Sequence, residues 1–170
     1  MENSHLVYLS LGSNLEDKKK HLQNAVNAIN LKIGEITKVS YIYKTPSLGF
    51  EGDDFYNICV ELKTNLSPFQ LIDYLLVLEL ELGRVRNNIR GYQNRVIDID
   101  IILYNSEILN TKKLTLPHPK ALERNFVLFP LLDINNTLIF PNSNKSLNAH
   151  CKNLEAPKKL VKEKIRIQTL

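Results

Sequence analysis

Apolar positions along the chain recur with two different periods. Residues 5–11 (HLVYLSL), 36–44 (ITKVSYIYK), 55–62 (FYNICVEL) and 97–104 (IDIDIILY) have the short, dense or alternating pattern of strands. Between the first two, Leu22, Ala25, Val26 and Ile29 fall at helical spacing. Asp17 is placed to cap that helix, which runs through about Leu31, and Gly34 punctuates it. A second helix opens at Ser67-Pro68, since proline is tolerated in a first helical turn, and Gly83 ends it. The order is β-α-β-β-α-β, which predicts an α+β, ferredoxin-like fold: an antiparallel sheet with both helices packed on one face. Beyond Leu114 only short elements are expected, with a small helical stretch near Phe126 to Leu132 and turns around Asn135 to Asn144. The lysine-rich tail from Lys152 to Leu170 predicts a surface helix or frayed end.

Composition narrows this only slightly. The 170 residues suit a single domain covering 1–170 and are enough for a real core, with 44% hydrophobic and 24% charged residues. A net charge of +4 suits an anionic ligand as well as nucleic acid. Cys59 and Cys151 make no metal-type pair, and Cys59 lies in an apolar strand as a buried thiol would. The first residues lack a signal-peptide pattern, and no apolar run reaches membrane-spanning length, so a reducing cytoplasm is the expected compartment.

Asp98 and Asp100 are the first residues that need a chemical explanation. They alternate along an apolar strand and so share one face, with Cβ atoms roughly 6–7 Å apart. Two carboxylates that close repel, and desolvation adds several kcal/mol to each. Magnesium answers such a pair, because it takes one or two carboxylates together with substrate phosphates. An isolated D-x-D is nevertheless weak evidence, since solvated or arginine-bridged aspartates give the same pattern. The preceding loop shifts the balance, with Arg84, Arg86, Arg90 and Arg95 within a dozen residues. Guanidinium forks suit phosphate oxygens, and phosphoryl transfer is largely positioning and charge stabilisation. The chain has neither a Walker A sequence nor G-x-G-x-x-G. Gly12-Ser13-Asn14 resembles a nucleotidyltransferase turn, but Asp98 lies too far downstream for that reading. His118 between two prolines, Arg124 and Phe126 after it, and the Phe55-Tyr56-Asn57 group complete the candidates. Aromatic faces beside an amide suit a flat heterocycle.

Together these segments resemble the 6-hydroxymethyl-7,8-dihydropterin pyrophosphokinase family of folate synthesis. The matching pieces are LGSNL (11–15), YKTPSLG (43–49), FYN (55–57), GRVR (83–86), RVIDIDI (95–101), LPH (116–118) and RNFVL (124–128), spanning about 6–141 in the family's order. The tail from 145 to 170 has no counterpart in it. The resemblance implies diphosphate transfer from ATP to the pterin hydroxymethyl group, with AMP released. It implies that Asp98 and Asp100 hold two magnesium ions. Arg84 and Arg95 would stabilise the transferring group, and Arg86, His118 and Arg124 would grip the triphosphate. Lys113, Thr115 and the backbone near Ile101 would lie by the nucleotide. Thr45, Pro46 and Leu48 would meet the pterin mainly through backbone, Asn57 would read its edge, and Phe55 and Phe126 would clamp the ring. Tyr92 matches a tryptophan that folds over the site, in a loop that reads Gly-Tyr-Gln-Asn-Arg (91–95) where many relatives have Arg-Trp-Gly-Pro-Arg. The implied partners are small molecules, with no nucleic acid and no membrane, and the implied state is a monomer.

Two other readings stay open on sequence. Ferredoxin-like domains often bind RNA, although this chain lacks an aromatic, glycine-rich strand motif and its acid pair would repel phosphate. A different magnesium-dependent phosphotransferase on the same scaffold is the second, and the released nucleotide separates it.

Overall fold

The computed structural model describes residues 4–47, 51–85, 94–152 and 154–167. Strand β1 (His5–Ser13) leads to helix α1 (Lys18–Lys32), then to β2 (Glu35–Val39), β3 (Tyr41–Thr45) and β4 (Phe55–Thr64). Helix α2 (Pro68–Glu81) and β5 (Asp98–Tyr104) complete the β-α-β-β-α-β core. The sheet runs β5-β1-β4-β3 and is antiparallel throughout, with β2 also paired to β4. The run 36–44 is thus two strands, separated at Ser40, whose N–H donates to Cys59 O at 2.9 Å and whose hydroxyl accepts the Cys59 N–H at 2.9 Å.

The helix starts follow their sequence signals. Asp17 Oδ1 accepts the Lys20 N–H at 3.1 Å. At α2, Ser67 Oγ accepts the Gln70 N–H at 3.4 Å while Gln70 Oε1 accepts the Ser67 N–H at 2.9 Å, a reciprocal capping box with Pro68 at the first helical position. Gly83 ends α2 with φ +96°, a left-handed conformation that glycine adopts without penalty.

Strand alternation divides the residues between two layers. Val7, Leu9, Leu11, Ile58, Val60, Leu62, Ile99 and Ile101 form one core with Leu22, Ala25, Val26 and Ile29 of α1 and Leu71, Leu75 and Leu78 of α2. Both helices therefore cover one face, as predicted. Tyr8, Cys59 and Ile102 belong to a second core, built with helix α3 (Asn125–Ile134) and the short α4 (Leu147–Cys151) on the other face. Asp133 of α3 accepts the Tyr43 hydroxyl at 3.0 Å and the Tyr41 N–H at 3.1 Å, fixing that helix to β3. Cys59 and Cys151 are free and buried.

Two features differ from the sequence reading. A small hairpin forms from β6 (Leu109–Asn110) and β7 (Thr115–Leu116). The tail is neither helix nor frayed end: β8 (Lys158–Lys164) pairs antiparallel with β3. The open N–H and C=O groups of β3 supply a partner that the side-chain pattern of the tail does not reveal. Among the described residues, no helix is long and apolar enough to cross a membrane.

Candidate active site

The second face of the sheet is closed by α3 toward one end only. At the other end lie the last residues of β1 and β3 and the first of β4 and β5. A cavity of about 420 Å³ opens there, lined on its floor by Ser10, Gly12, Asn57, Asp98 and Asp100. Thr45, Pro46, Phe55, Arg84, Arg95, His118, Arg124 and Phe126 form its walls. The same alternation that buries Ile99 and Ile101 beneath α1 and α2 turns Asp98 and Asp100 into this cavity.

Asp98 is held by two guanidinium groups: Arg84 Nη1 lies 2.6 Å from Oδ1, and Arg95 Nη1 lies 2.6 Å from Oδ2. Arg84 comes back over the site because Gly83 turns the chain and the Arg84 N–H donates to Glu79 O at 2.9 Å. Asp100 is less well matched. Arg124 Nη1 stands 3.6 Å from Oδ2, and His118 Nε2 stands 3.9 Å away. Burial first, and the Asp98 carboxylate second, raise the Asp100 pKa far above the usual carboxylate range. A further cation beside this pair would relieve that strain. The donors are hard oxygens, which fits magnesium. Among the described residues no group of three or more His, Cys, Asp or Glu assembles a cage. The set thus suits an ion shared with phosphate rather than one enclosed by protein.

His118 is anchored through its N–H, which donates to Ile102 O on β5 at 2.9 Å. Its Nδ1 accepts the Lys120 N–H at 3.1 Å, which assigns the ring proton to Nε2. Burial, with Arg124 adding to it, lowers the His118 pKa to about 4, so the ring is neutral near pH 7 and offers an N–H donor, not a charge. Unfolded, the same histidine titrates near 6.5. Between those values protons bind the unfolded chain more, so acidification from about pH 6.5 to 4 destabilises the fold and the contribution is complete above 6.5. His118→Gln should therefore reduce the acid-induced loss of stability by about 1–2 kcal/mol, since solvent at the partly exposed ring screens the full effect. Urea unfolding at pH 7 and pH 4 measures it, and an unchanged difference would contradict a neutral folded His118.

At the opposite wall, Asn57 Nδ2 donates to Thr45 Oγ1 at 2.9 Å and to Tyr43 O at 3.4 Å. Those donations leave Oδ1 as the end beside Gly12, where an added Cβ would stand 3.1 Å from it. Phe126 lies under the Arg124 guanidinium, 5.5 Å from ring centroid to Cζ.

Residues 8–136 match the sequence model of the family described as 7,8-dihydro-6-hydroxymethylpterin-pyrophosphokinase (HPPK). The chain belongs to that family. A 2-amino-4-hydroxy-6-hydroxymethyldihydropteridine pyrophosphokinase of Bacillus subtilis (strain 168) is 41% identical over 133 residues, covering 77% of this chain and 78% of its own length. The folic acid synthesis protein fol1 of Pneumocystis carinii is 38% identical over 149 residues, 87% of this chain but 20% of that protein. The crystal structure of Plasmodium falciparum HPPK-DHPS wild type with pteroate superposes with a TM-score of 0.72 at 15% identity, covering 89% of this chain and 44% of that one. This chain therefore spans a fifth of the Pneumocystis protein and under half of the Plasmodium one.

Within this HPPK-family chain, Thr45, Pro46, Phe55, Asn57, Arg84, Arg95, Asp98, Asp100, His118, Arg124 and Phe126 converge on one cavity. Others of the expected set do not line it. The Ile101 side chain faces the α1/α2 core, so only its backbone is available to a ligand. Lys113 is exposed and paired with Asp73 of α2 at 2.6 Å, and Thr115 sits in the small hairpin. Leu48, Arg86 and Tyr92 lie outside the described residues. Glu79, which the sequence reading passed over, is fully buried: Oε2 lies 2.5 Å from Arg84 Nη1, and Oε1 accepts the Ile99 N–H at 2.7 Å. Its signal was present, because Glu79 falls on the apolar stripe of α2 with Leu71, Leu75 and Leu78, where a lone carboxylate needs a partner.

Proposed function

We infer that the protein transfers diphosphate from ATP to the hydroxymethyl group of 6-hydroxymethyl-7,8-dihydropterin, releasing AMP, as a step of folate synthesis. The observation that carries this reading is the family match, joined to an acid pair and three arginines around one cavity. In this reaction the pterin hydroxymethyl oxygen forms a bond to the β-phosphorus, the bond from that phosphorus to the α-phosphate oxygen breaks, and the hydroxyl proton is lost. Asp98 and Asp100 are proposed to hold two magnesium ions with the ATP phosphates, which supply charge neutralisation along the polyphosphate.

The remaining roles fall to the chain's own groups. Arg95 and Arg84, drawn from Asp98 by the stronger charge of the polyphosphate, stabilise the diphosphate as it transfers. Arg124 and the Nε2–H of His118 bind phosphate oxygens near Asp100, with Arg86 proposed beside them. The backbone at Ile101 lies toward the nucleotide, with Lys113 and Thr115 as peripheral contacts. Phe55 and Phe126 stack on the pterin, Tyr92 covers it, and the backbone of Thr45, Pro46 and Leu48 borders its edge. Asn57 Oδ1 accepts a ring N–H, an orientation supported by the two donations that occupy its Nδ2. A monomer acting in a reducing cytoplasm fits the two buried free thiols and is open to sedimentation and fractionation.

The test is incubation with ATP, magnesium and the reduced pterin, followed by identification of the nucleotide. AMP formed only when both pterin and magnesium are present is the expected result. ADP would assign single phosphoryl transfer instead. A more local check concerns Asn57→Ala, which should weaken pterin binding about tenfold to a hundredfold while ATP binding stays unchanged. Paired calorimetric titrations decide it, and equal losses for both ligands would end the assignment.

A further inference from the structure

The roles above leave Asn14 without a task, although it is the first residue after β1. Its side chain is fully buried. The Asn14 N–H donates to Arg95 O at 3.1 Å, and its Oδ1 accepts the Arg95 N–H at 2.6 Å, so the backbone of Arg95 is gripped on both sides. The amide hydrogens go elsewhere: Nδ2 donates to Asn94 Oδ1 at 2.8 Å and to Asp53 O at 3.3 Å. One buried amide thus joins three stretches that are distant in sequence: the end of β1, the approach to β5 and the approach to β4. The approach to β5 carries Arg95, whose guanidinium lies 2.6 Å from Asp98. The approach to β4 leads, two residues after Asp53, to Phe55 in the cavity wall.

We propose that Asn14 is a positioning residue for diphosphate transfer, holding Arg95 in place over the acid pair and tying it to the strand entry that carries Phe55. The proposal rests on the function inferred above. Its chemistry explains the residue type. The asparagine amide offers an acceptor and two donors on a short side chain, and all are used here. Aspartate keeps the acceptor for the Arg95 N–H but loses both donations. Alanine loses everything except the backbone bond. A rigid hold on Arg95 matters because a misplacement of about 1 Å at a reacting centre can cost about 100-fold in rate.

A double-mutant cycle on the whole chain tests this. Asn14→Ala should lower kcat by about tenfold to a hundredfold, with a smaller change in KM for ATP, and Asn14→Asp should fall between it and wild type. In an Arg95→Ala background, Asn14→Ala should lower kcat by less than about threefold, because the group it positions is gone. An equal fractional loss in both backgrounds would overturn the proposal and make Asn14 a general fold element. If Asn14→Ala does not yield folded protein, Asn14→Asp takes its place in the cycle with the same expected collapse. The outcomes also separate this inference from the reading beneath it. Unchanged turnover in Arg95→Ala alone would remove the role of Arg95 and this proposal with it. Normal loss in Arg95→Ala with additive loss from Asn14 would remove only the proposal.

Discussion

Asp100→Ala is expected to lower turnover about 1000-fold or more while leaving the metal-free protein at least as stable as wild type. Both halves follow from the same imbalance. Asp100 is a half-buried carboxylate beside another carboxylate, with its guanidinium contact at 3.6 Å and a neutral histidine as the other neighbour. Removing it relieves repulsion between the two carboxylates, yet it removes a hard oxygen ligand needed when magnesium and polyphosphate arrive. Asp98→Ala should cost as much in turnover but should also lower stability, because it strips the carboxylate from Arg84 and Arg95 at once. Rates of AMP release at saturating magnesium, together with thermal melts in chelator, separate the two variants. Near-normal turnover in either would refute the metal assignment.

Arg95→Ala should lower kcat by about 100- to 1000-fold and change ATP affinity by less than about tenfold. Its guanidinium is engaged with Asp98 before substrate binds, so breaking that contact offsets part of any gain from ground-state phosphate binding. The full benefit appears only when charge builds on the transferring group. Arg84 looks equivalent in sequence but is a poorer probe. It also neutralises the fully buried Glu79, so its removal would strand a carboxylate at a cost of about 3–5 kcal/mol and mix folding with catalysis. Single-turnover rates and ATP titration of Arg95→Ala give the comparison. Lost binding with unchanged turnover would make it a ground-state ligand.

The core topology and the acid pair were legible because each depends on local periodicity. Strand alternation alone fixes that Asp98 and Asp100 share a face opposite Ile99 and Ile101, and capping chemistry alone locates the starts of α1 and α2. Residues acting through distant partners were harder to read. Glu79 was visible as a carboxylate on an apolar stripe, but nothing local names Arg84 and the Ile99 N–H as its partners. Asn14 reads as a turn residue until Arg95 and Asp53 are brought beside it. The strand at 158–164 is encoded by the vacant edge of β3 more than by its own lysine-rich pattern. Lys113 shows the converse: a cation at a suggestive position is engaged with Asp73 on α2.

The bond between Glu79 and the Ile99 N–H bears on the outer side of strand β5. Strand β5 stands at the end of the sheet order and, among the described residues, pairs with β1 in the main sheet. An outward amide on such a strand invites pairing with another chain. Glu79 occupies it from the side of α2, with a charge that no added strand could match. Glutamine at this position would still accept the amide, whereas alanine would leave it open, so the residue that steadies Arg84 also fills a hydrogen-bonding place that an added strand would need.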